Sequence, residues 1–197
     1  MDVLTFFSFL QDDNRNAMMV ASMIGNTDVG ESFYIFPYTL SVRCMLSNRL
    51  FFLTVMKLLE YHANPNLTDM HGTSALYESI KNNNEQITNI LLKHGADLSM
   101  NESLAASTLC QTVFDADTSL LKRLLKAKIQ VNACDYDKRT AVHIAASEGN
   151  IAAFKLLVEY GSDISCKDRW GNTAKSEAER ANSCAILKYI DSLYSHC

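Results

Sequence analysis

The sequence has few prolines and glycines and none of the common catalytic motifs. Its 197 residues include two prolines and seven glycines, so no long flexible linker is indicated. It contains no Gly-x-Ser-x-Gly sequence, P-loop, dinucleotide-binding glycine pattern, His-Glu-x-x-His pair or calcium loop. These are local signatures of hydrolases, nucleotide-binding proteins and metalloproteins. We therefore expect neither enzymatic activity nor a bound cofactor.

A zinc site and a disulfide scaffold are not indicated either. None of the six cysteines belongs to a Cys-x-x-Cys pair, and none has a histidine at zinc-ligand spacing. The cysteines suit reduced thiols of an intracellular protein. Residues 3–10 are apolar, but Asp2 replaces the basic start of a secretory signal and no small-residue cleavage site follows. We expect a cytoplasmic protein, which a partner could hold at the cytosolic face of a membrane.

The charge and composition favour a folded chain with a protein partner. The formal net charge of −4 argues against nucleic acid or direct insertion into an anionic membrane. Hydrophobic residues make up 48% of the chain and charged residues 20%, proportions that suit a folded domain rather than a disordered one.

One pattern recurs every 33 residues from about residue 55 to the end of the chain. A hydroxyl-bearing residue occupies the same slot at Ser74, Ser107, Thr140 and Thr173, and an acidic turn residue precedes it at Asp69, Glu102, Asp135 and Asp168. An apolar pair recurs at 58–59, 91–92, 124–125 and 157–158. The second helix of each unit is predicted to end at the position of His62, Gly95, Lys128 and Gly161. One turn plus two helices at this period is typical of ankyrin repeats. We predict an all-α ankyrin-repeat solenoid of about five helix-turn-helix units, the first interrupted by an insertion.

Two regions follow from this frame. Residues 1–64 are predicted to form a degenerate N-terminal repeat with an insertion at 30–54, and residues 65–197 to form four consecutive repeats that end in a C-terminal cap. Residues 16–26 match 140–150 position by position, but they lie 25 residues upstream of their place in the frame. Residues 1–10 carry no second-helix pattern, so we expect the chain to begin inside an array. Two alternatives stay open for these apolar residues: they fold back as a cap, or they mark a truncated product.

Three interpretations of residues 30–54 remain open. A transmembrane helix is disfavoured because Pro37, Arg43 and Arg49 interrupt the apolar run. The segment could be a functional loop between the two helices of a repeat. It could also be translated non-coding sequence whose length keeps the downstream frame intact, and we favour this third interpretation.

The third unit departs from the pattern. Leu104 and Ala105 stand where a glycine turn is expected, and Lys128 occupies the left-handed position after the second helix. A side chain in that backbone conformation costs roughly 1 kcal/mol. We expect this unit to be intact but locally weaker. In the last unit, Lys175 and Ser176 stand where leucine and histidine are usual.

The polar residues of the motif are predicted to be structural. His143 should hydrogen-bond neighbouring backbone and pack beside the next repeat. The aspartates of the turns should accept backbone N–H bonds. The four hydroxyl-bearing residues should cap the first helix of each unit.

Partner binding is predicted at the turn tips and at the exposed face of each first helix, which line one groove in ankyrin arrays. Trp170 is the sole tryptophan, and Trp, Tyr and Arg are the residue types most enriched at binding hot spots. The predicted centre is Tyr136, Arg139, Arg169 and Trp170; the alternative is that Trp170 only packs on the Tyr136 turn and stiffens the stack. The full predicted set is Tyr136, Asp137, Arg139, Ser147, Glu148, Arg169, Trp170, Met70 and His71.

Three stretches, 135–140, 143–149 and 167–173, indicate which group of ankyrin-repeat proteins the chain resembles. Together with Leu109-Cys110 and residues 120–125, they resemble the ankyrin tail of plant voltage-gated, outward-rectifying potassium channels. The likeness runs over roughly residues 64–194. The same signatures are similar, in second place, to the C-terminal ankyrin segment of glutaminases.

The resemblance implies a cytosolic array that serves subunit or partner contacts. The chain has no pore segment and no selectivity-filter motif, so conduction is not attributed to it. We therefore expect a protein-interaction module whose partner could be a channel subunit or regulator. The alternative is a detached or partial cytosolic regulatory segment of a plant-type potassium channel or of a glutaminase-type enzyme.

Overall fold

The described part of the chain is all-α, as predicted. The computed structural model describes residues 48–69, 71–98 and 100–194, which contain nine helices and two isolated β-bridges. These residues fall into two compact units that divide between residues 99 and 100. The helices are α1 (Asn48–Glu60), α2 (Ala75–Lys81), α3 (Glu85–Lys93), α4 (Glu102–Phe114), α5 (Thr118–Lys126), α6 (Ala141–Ser147), α7 (Ile151–Glu159), α8 (Ala174–Arg180) and α9 (Cys184–Tyr194).

In the second unit, the first helices of successive pairs pack against each other, and so do the second helices. Here α6 lies between α4 and α8, and α7 lies between α5 and α9. In the first unit, α3 packs against both α1 and α2. Three layers of paired helices therefore make up the second unit.

Polar caps fix where the helices begin. Ser74 and Thr173 accept N–H bonds from Tyr77 and Ser176 at the starts of α2 and α8. The second helices of three pairs begin in the same way, because Asn84, Asp117 and Asn150 accept bonds from the backbone N–H groups of Ile87, Leu120 and Ala153. Each cap satisfies a donor that the helix itself leaves without a partner.

The left-handed residues that end the second helices confirm the predicted ladder. His62, Gly95, Lys128 and Gly161 have φ values of 58°, 78°, 60° and 87°. The same backbone conformation is therefore required in four successive copies, whichever residue occupies the slot. Two of the four are not glycine and carry the steric cost of a left-handed side chain.

The predicted apolar ladder is confirmed in part: at least one member of each pair is buried, whereas Leu92 is 41% exposed. Leu91, Leu124 and Leu157 occupy the same slot of α3, α5 and α7, and each is fully buried. The Phe154 ring meets the Tyr189 ring edge to face, with centroids 6.2 Å apart, and joins α7 to α9. Burial of each leucine removes its side chain from water and contributes roughly 1.5–3 kcal/mol.

The structure corrects the predicted start of the third unit. Ser107 is not a cap but lies inside α4, where its hydroxyl donates to the Leu104 carbonyl at 3.0 Å. The cap is Asn101, which accepts the Leu104 N–H at 2.7 Å, and Glu102 lies in the first helical turn instead of a hairpin turn. Residues 102–107 are therefore helical where the other units have a hairpin, so α4 has 13 residues whereas α6 and α8 have 7 each.

Asparagine side chains join consecutive loops, a feature the sequence did not reveal. In the first unit, Asn66 donates to the Gly95 carbonyl at 3.2 Å and accepts the Asp97 N–H at 2.9 Å. In the second unit, Asn132 makes the same pair of bonds with Gly161 and Asp163, at 3.4 and 2.9 Å. These asparagines fix the loop after one second helix against the loop of the following repeat.

Most of the predicted insertion lies outside the described residues. Only 48–54 are described, and they form the N-terminal part of α1. Residues 1–10 and 16–26 also lie outside the described part, and the proposed division at 64/65 stays a prediction. Among the helices that are described, none combines the length and the apolar character needed to cross a bilayer.

Replacing Lys128 by glycine tests the cost of the left-handed slot. We expect Lys128→Gly to raise the free energy of unfolding by about 0.5–1 kcal/mol, because glycine adopts φ near 60° without steric strain. The matched control is Lys126→Gly at the last residue of α5, which should lower stability by up to about 1 kcal/mol. Equilibrium urea unfolding measures both variants. A Lys128→Gly protein no more stable than the parent would contradict this assignment.

Candidate protein-binding groove

Two hairpins of the same design carry the predicted tip residues of the second unit. Asp135 Oδ1 accepts the backbone N–H groups of Asp137 and Arg139, both at 2.8 Å. Asp168 Oδ1 accepts those of Trp170 and Asn172 at 2.9 and 2.7 Å. The predicted role of these aspartates is therefore confirmed. In the first unit, Asp69 makes the equivalent bonds to His71 and Thr73.

His143 connects helix α6 to the second hairpin. The side chain is buried, and its Nδ1 accepts the Thr140 backbone N–H at 3.2 Å. Its Nε2 lies 3.1 Å from the Cys166 carbonyl oxygen and 3.3 Å from that of Asn172. Because a backbone N–H can only donate, Nδ1 is the acceptor and Nε2 carries the proton. The predicted structural role of His143 is confirmed.

Ser176 fills the histidine slot in the last helix pair. Its hydroxyl accepts the Thr173 N–H at 2.7 Å and donates to the Thr173 carbonyl at 2.9 Å. The shorter side chain thus completes the cap of its own helix α8. It lacks the length with which His143 reaches a second hairpin.

A cluster of charged and aromatic side chains joins the two hairpin tips. Arg169 donates to Asp137 Oδ1 at 3.1 Å, and its guanidinium carbon lies 5.5 Å from the centre of the Tyr136 ring. Arg139 donates to Asp135 Oδ2 at 3.1 Å. The side chain that packs on the Tyr136 ring is therefore that of Arg169. The Tyr136 side chain is highly exposed, so the tips present an aromatic face to solvent.

A groove of about 410 Å³ lies between the second hairpin and helices α6 and α8. Trp170 is its largest side chain and is 63% exposed. The groove is lined by Arg139, His143, Ile144, Ser147, Asp168, Trp170, Asn172, Glu177 and Arg180. One hairpin and two first helices thus contribute to a single concave surface.

The structure brings together part of the predicted binding set. Arg139, Ser147 and Trp170 line the groove, and the tip cluster of Tyr136, Asp137 and Arg169 lies on the two hairpins. Glu148 is exposed directly after Ser147. His71 lies in the Asp69 turn of the first unit, and Met70 lies outside the described residues.

Six groove residues lie outside the predicted binding set: His143, Asp168, Asn172, Arg180, Ile144 and Glu177. Ile144 and Glu177 are the two among them that share a slot of the repeat. They occupy the same slot of consecutive first helices, 33 residues apart. That spacing is the signal that could have identified them, because residues in one slot of successive layers line one face. The binding role of every groove residue stays a prediction.

The carboxylates of the groove are buried, whereas its guanidinium groups are exposed to solvent. Burial alone would raise the pKa of Asp168, but hydrogen bonds from Asn172 and Trp170 outweigh it, and the pKa is lowered. Glu177 is paired with Arg180, and its side chain is 6% exposed whereas that of Arg180 is 70% exposed. The Arg139 side chain is 41% exposed.

Thiol and metal chemistry find no support in the described residues. Burial raises the pKa of Cys110 to about 11, with the Asp135 carboxylate acting in the same direction. Such a thiol stays protonated near neutral pH and is a poor nucleophile. Within residues 48–69, 71–98 and 100–194, no three His, Cys, Asp or Glu side chains form a group that could hold a metal ion.

The lowered pKa of Asp168 predicts a loss of stability in acid. A carboxyl group whose pKa is lower in the folded state stabilises the fold above its unfolded pKa of about 3.9, and this contribution is lost as pH falls through the folded pKa. We expect Asp168→Asn, which keeps the Oδ1 acceptor, to show a shallower fall of unfolding free energy with pH below about 4. Urea unfolding at a series of pH values measures this slope. Identical slopes for the two proteins would contradict the assignment.

Comparisons of the sequence with known proteins agree with this arrangement of repeated helix pairs. Residues 105–158 match the family model described as ankyrin repeats (many copies). Potassium channel GORK of Arabidopsis thaliana is 43% identical over 83 residues, 42% of this chain and 10% of that protein. Potassium channel KOR2 of Oryza sativa subsp. japonica is 41% identical over 87 residues, 44% of this chain and 12% of that protein. The mitochondrial glutaminase liver isoform of Rattus norvegicus is 36% identical over 78 residues, 39% of this chain and 13% of that protein.

The match is confined to part of each protein. The chain spans only about a tenth of the length of the potassium channels it matches, with 10% of GORK and 12% of KOR2 covered. The predicted resemblances to plant potassium channels and to glutaminases are confirmed. The chain therefore contains ankyrin repeats, the two-helix units that residues 105–158 match and that the fold repeats every 33 residues.

Proposed function

We propose that this chain is a non-enzymatic protein-interaction module that binds a partner protein through the groove beside Trp170. The observation that carries the proposal is an exposed tryptophan that lines a 410 Å³ groove together with Arg139 and Arg180. Tryptophan and arginine are the residue types that most often dominate binding energy at protein interfaces.

The backbone around Trp170 is held in place before any partner binds. Its N–H is bonded to Asp168, and the Asp168 N–H is bonded to the Asn172 carbonyl at 2.9 Å. His143 holds the same hairpin from below through the carbonyls of Cys166 and Asn172. A site that is already ordered loses little conformational entropy on binding, which favours affinity.

The groove supports binding better than catalysis. A general base must lie within hydrogen-bond reach of the substrate proton that it takes. The Nδ1 of His143 is engaged by Thr140, and its Nε2 faces two carbonyl oxygens. Asp168 and Glu177 are likewise engaged with their neighbours.

The partner and the location belong to the same proposal. A channel subunit or regulator is the partner that the relatives named potassium channels favour. We propose a cytoplasmic location, with attachment to a membrane only through that partner, and no nucleic-acid partner.

A second candidate is a cytosolic regulatory segment of a plant-type potassium channel or of a glutaminase-type enzyme. It is favoured by matches to several potassium channels at 38–43% identity and to glutaminases at 36%. Sequencing of full-length transcripts tests it. A dominant message in which this reading frame continues into pore helices or a catalytic domain is expected under this candidate, and a dominant message encoding the 197 residues alone would reject it.

Removing the Trp170 indole should abolish most partner binding. We expect Trp170→Ala to weaken peptides selected from a phage-displayed library on the wild-type chain by at least about 30-fold, the size of a hot-spot loss. The matched control is Tyr194→Ala on α9, whose exposure of 62% is close to the 63% of Trp170. Binding is measured by fluorescence anisotropy, with circular dichroism as the check of folding. Selected peptides that bind Trp170→Ala as tightly as the parent would remove the groove as the binding site.

A further inference from the structure

The negative charges of the groove are not available to a ligand. Both backbone bonds of the Asp168 turn go to Oδ1, and Oδ2 accepts the Asn172 side-chain amide at 3.1 Å. Glu177 is almost fully buried and accepts a bond from Arg180. A cationic ligand would have to compete with these intramolecular donors for each carboxylate.

The donors of the same groove face solvent. A guanidinium group carries five N–H donors, and Arg139 directs two of its nitrogens, Nε and Nη2, at Asp135. Arg180 directs Nη2 at Glu177 with 70% of its side chain exposed. Arg180 can therefore still donate to a second carboxylate. Arg139, whose Nη2 also lies 3.9 Å from Asp137 Oδ2, can donate to a ligand through Nη1, and Trp170 adds an indole N–H.

An apolar surface lines the same groove as these donors. Ile144 lines the groove together with the Trp170 ring, and Ser147 is the small residue next to them on α6. An aromatic or aliphatic side chain of a ligand can pack on the indole and the isoleucine. The same ligand can then place flanking acceptors at the two guanidinium groups.

We infer that the groove takes a carboxylate-rich peptide segment of the partner, with one apolar side chain between its acidic residues. The inference rests on the proposed function and adds the chemistry of the occupant. Charge complementarity carries it, because the exposed charges of the lining are the guanidinium groups whereas its carboxylates are turned inward and hydrogen-bonded. Glu148 is exposed at the end of α6 and lies outside the lining.

The probes are three synthetic peptides of equal length with one central phenylalanine. Their flanking residues are glutamate, glutamine or lysine. Binding to the full chain is measured by fluorescence anisotropy at low and at high ionic strength. We expect the glutamate peptide to bind at least about tenfold more tightly than the glutamine peptide at low salt, with an advantage that shrinks as salt screens the charges.

Two variants test whether the groove gives this preference. Arg180→Gln should weaken the glutamate peptide about three- to tenfold and leave the glutamine peptide nearly unchanged. Since this change also leaves Glu177 buried without its partner, Ser147→Glu is the second variant, which adds a negative charge to the groove and should reverse the preference toward the lysine peptide. The control is Lys122→Gln, the loss of one positive charge at an exposed position of α5 outside the lining, which should not change the preference.

The outcomes separate this inference from the proposed function. Equal binding of the glutamate and glutamine peptides, tightest binding of the lysine peptide, or no binding of any of the three would overturn the acidic occupant. If the lysine peptide binds and Trp170→Ala abolishes that binding, the groove remains a protein-binding site with a different partner chemistry. The proposed function itself fails only on the selected peptides, if Trp170→Ala leaves their binding unchanged.

Discussion

The buried imidazole of His143 is the interaction on which the candidate site depends. It accepts a backbone bond at the start of its own helix and reaches two carbonyl oxygens of the next hairpin. Each such bond contributes about 1 kcal/mol net, but a buried carbonyl left without a donor costs roughly 1–3 kcal/mol. The hairpin that carries Trp170 is therefore coupled to the layer below it. A groove between a hairpin and two helices keeps its shape only if that coupling holds.

Because the same structural positions recur in each repeat, the fold tolerates residues that are locally unfavourable. Lys128 and His62 adopt left-handed backbone that glycine would adopt without strain, yet both helices still end there. Buried leucines in the same slot of α3, α5 and α7 provide more stabilisation than the left-handed residues remove. Where no buried side chain stabilises a slot, the local sequence decides the backbone conformation. In the third unit Glu102 stands where the other units have their turn aspartate, and residues 102–107 begin α4 in place of a hairpin tip.

The sequence predicted most of the fold because its signals are local. Caps, left-handed positions and buried leucines each depend on residues a few positions apart, so a 33-residue ladder locates them. The prediction of Ser107 as a cap was wrong because it extended the period into a unit that lacks the turn residues. The contacts of the site were harder to predict. The Arg169 position over Tyr136 and the bonds of Asn66 and Asn132 join residues about 30 positions apart, and their geometry follows only from the packing of successive layers.

The tautomer of His143 tests the central coupling most directly. A long-range ¹H–¹⁵N correlation spectrum of the folded chain resolves which ring nitrogen carries the proton. The bond from the Thr140 backbone to Nδ1 and the carbonyls at Nε2 predict an imidazole protonated on Nε2 alone, with a slowly exchanging N–H. A ring protonated on Nδ1 instead of Nε2 would contradict it, because Nδ1 could not then accept the Thr140 bond and Nε2 could not donate to the hairpin carbonyls.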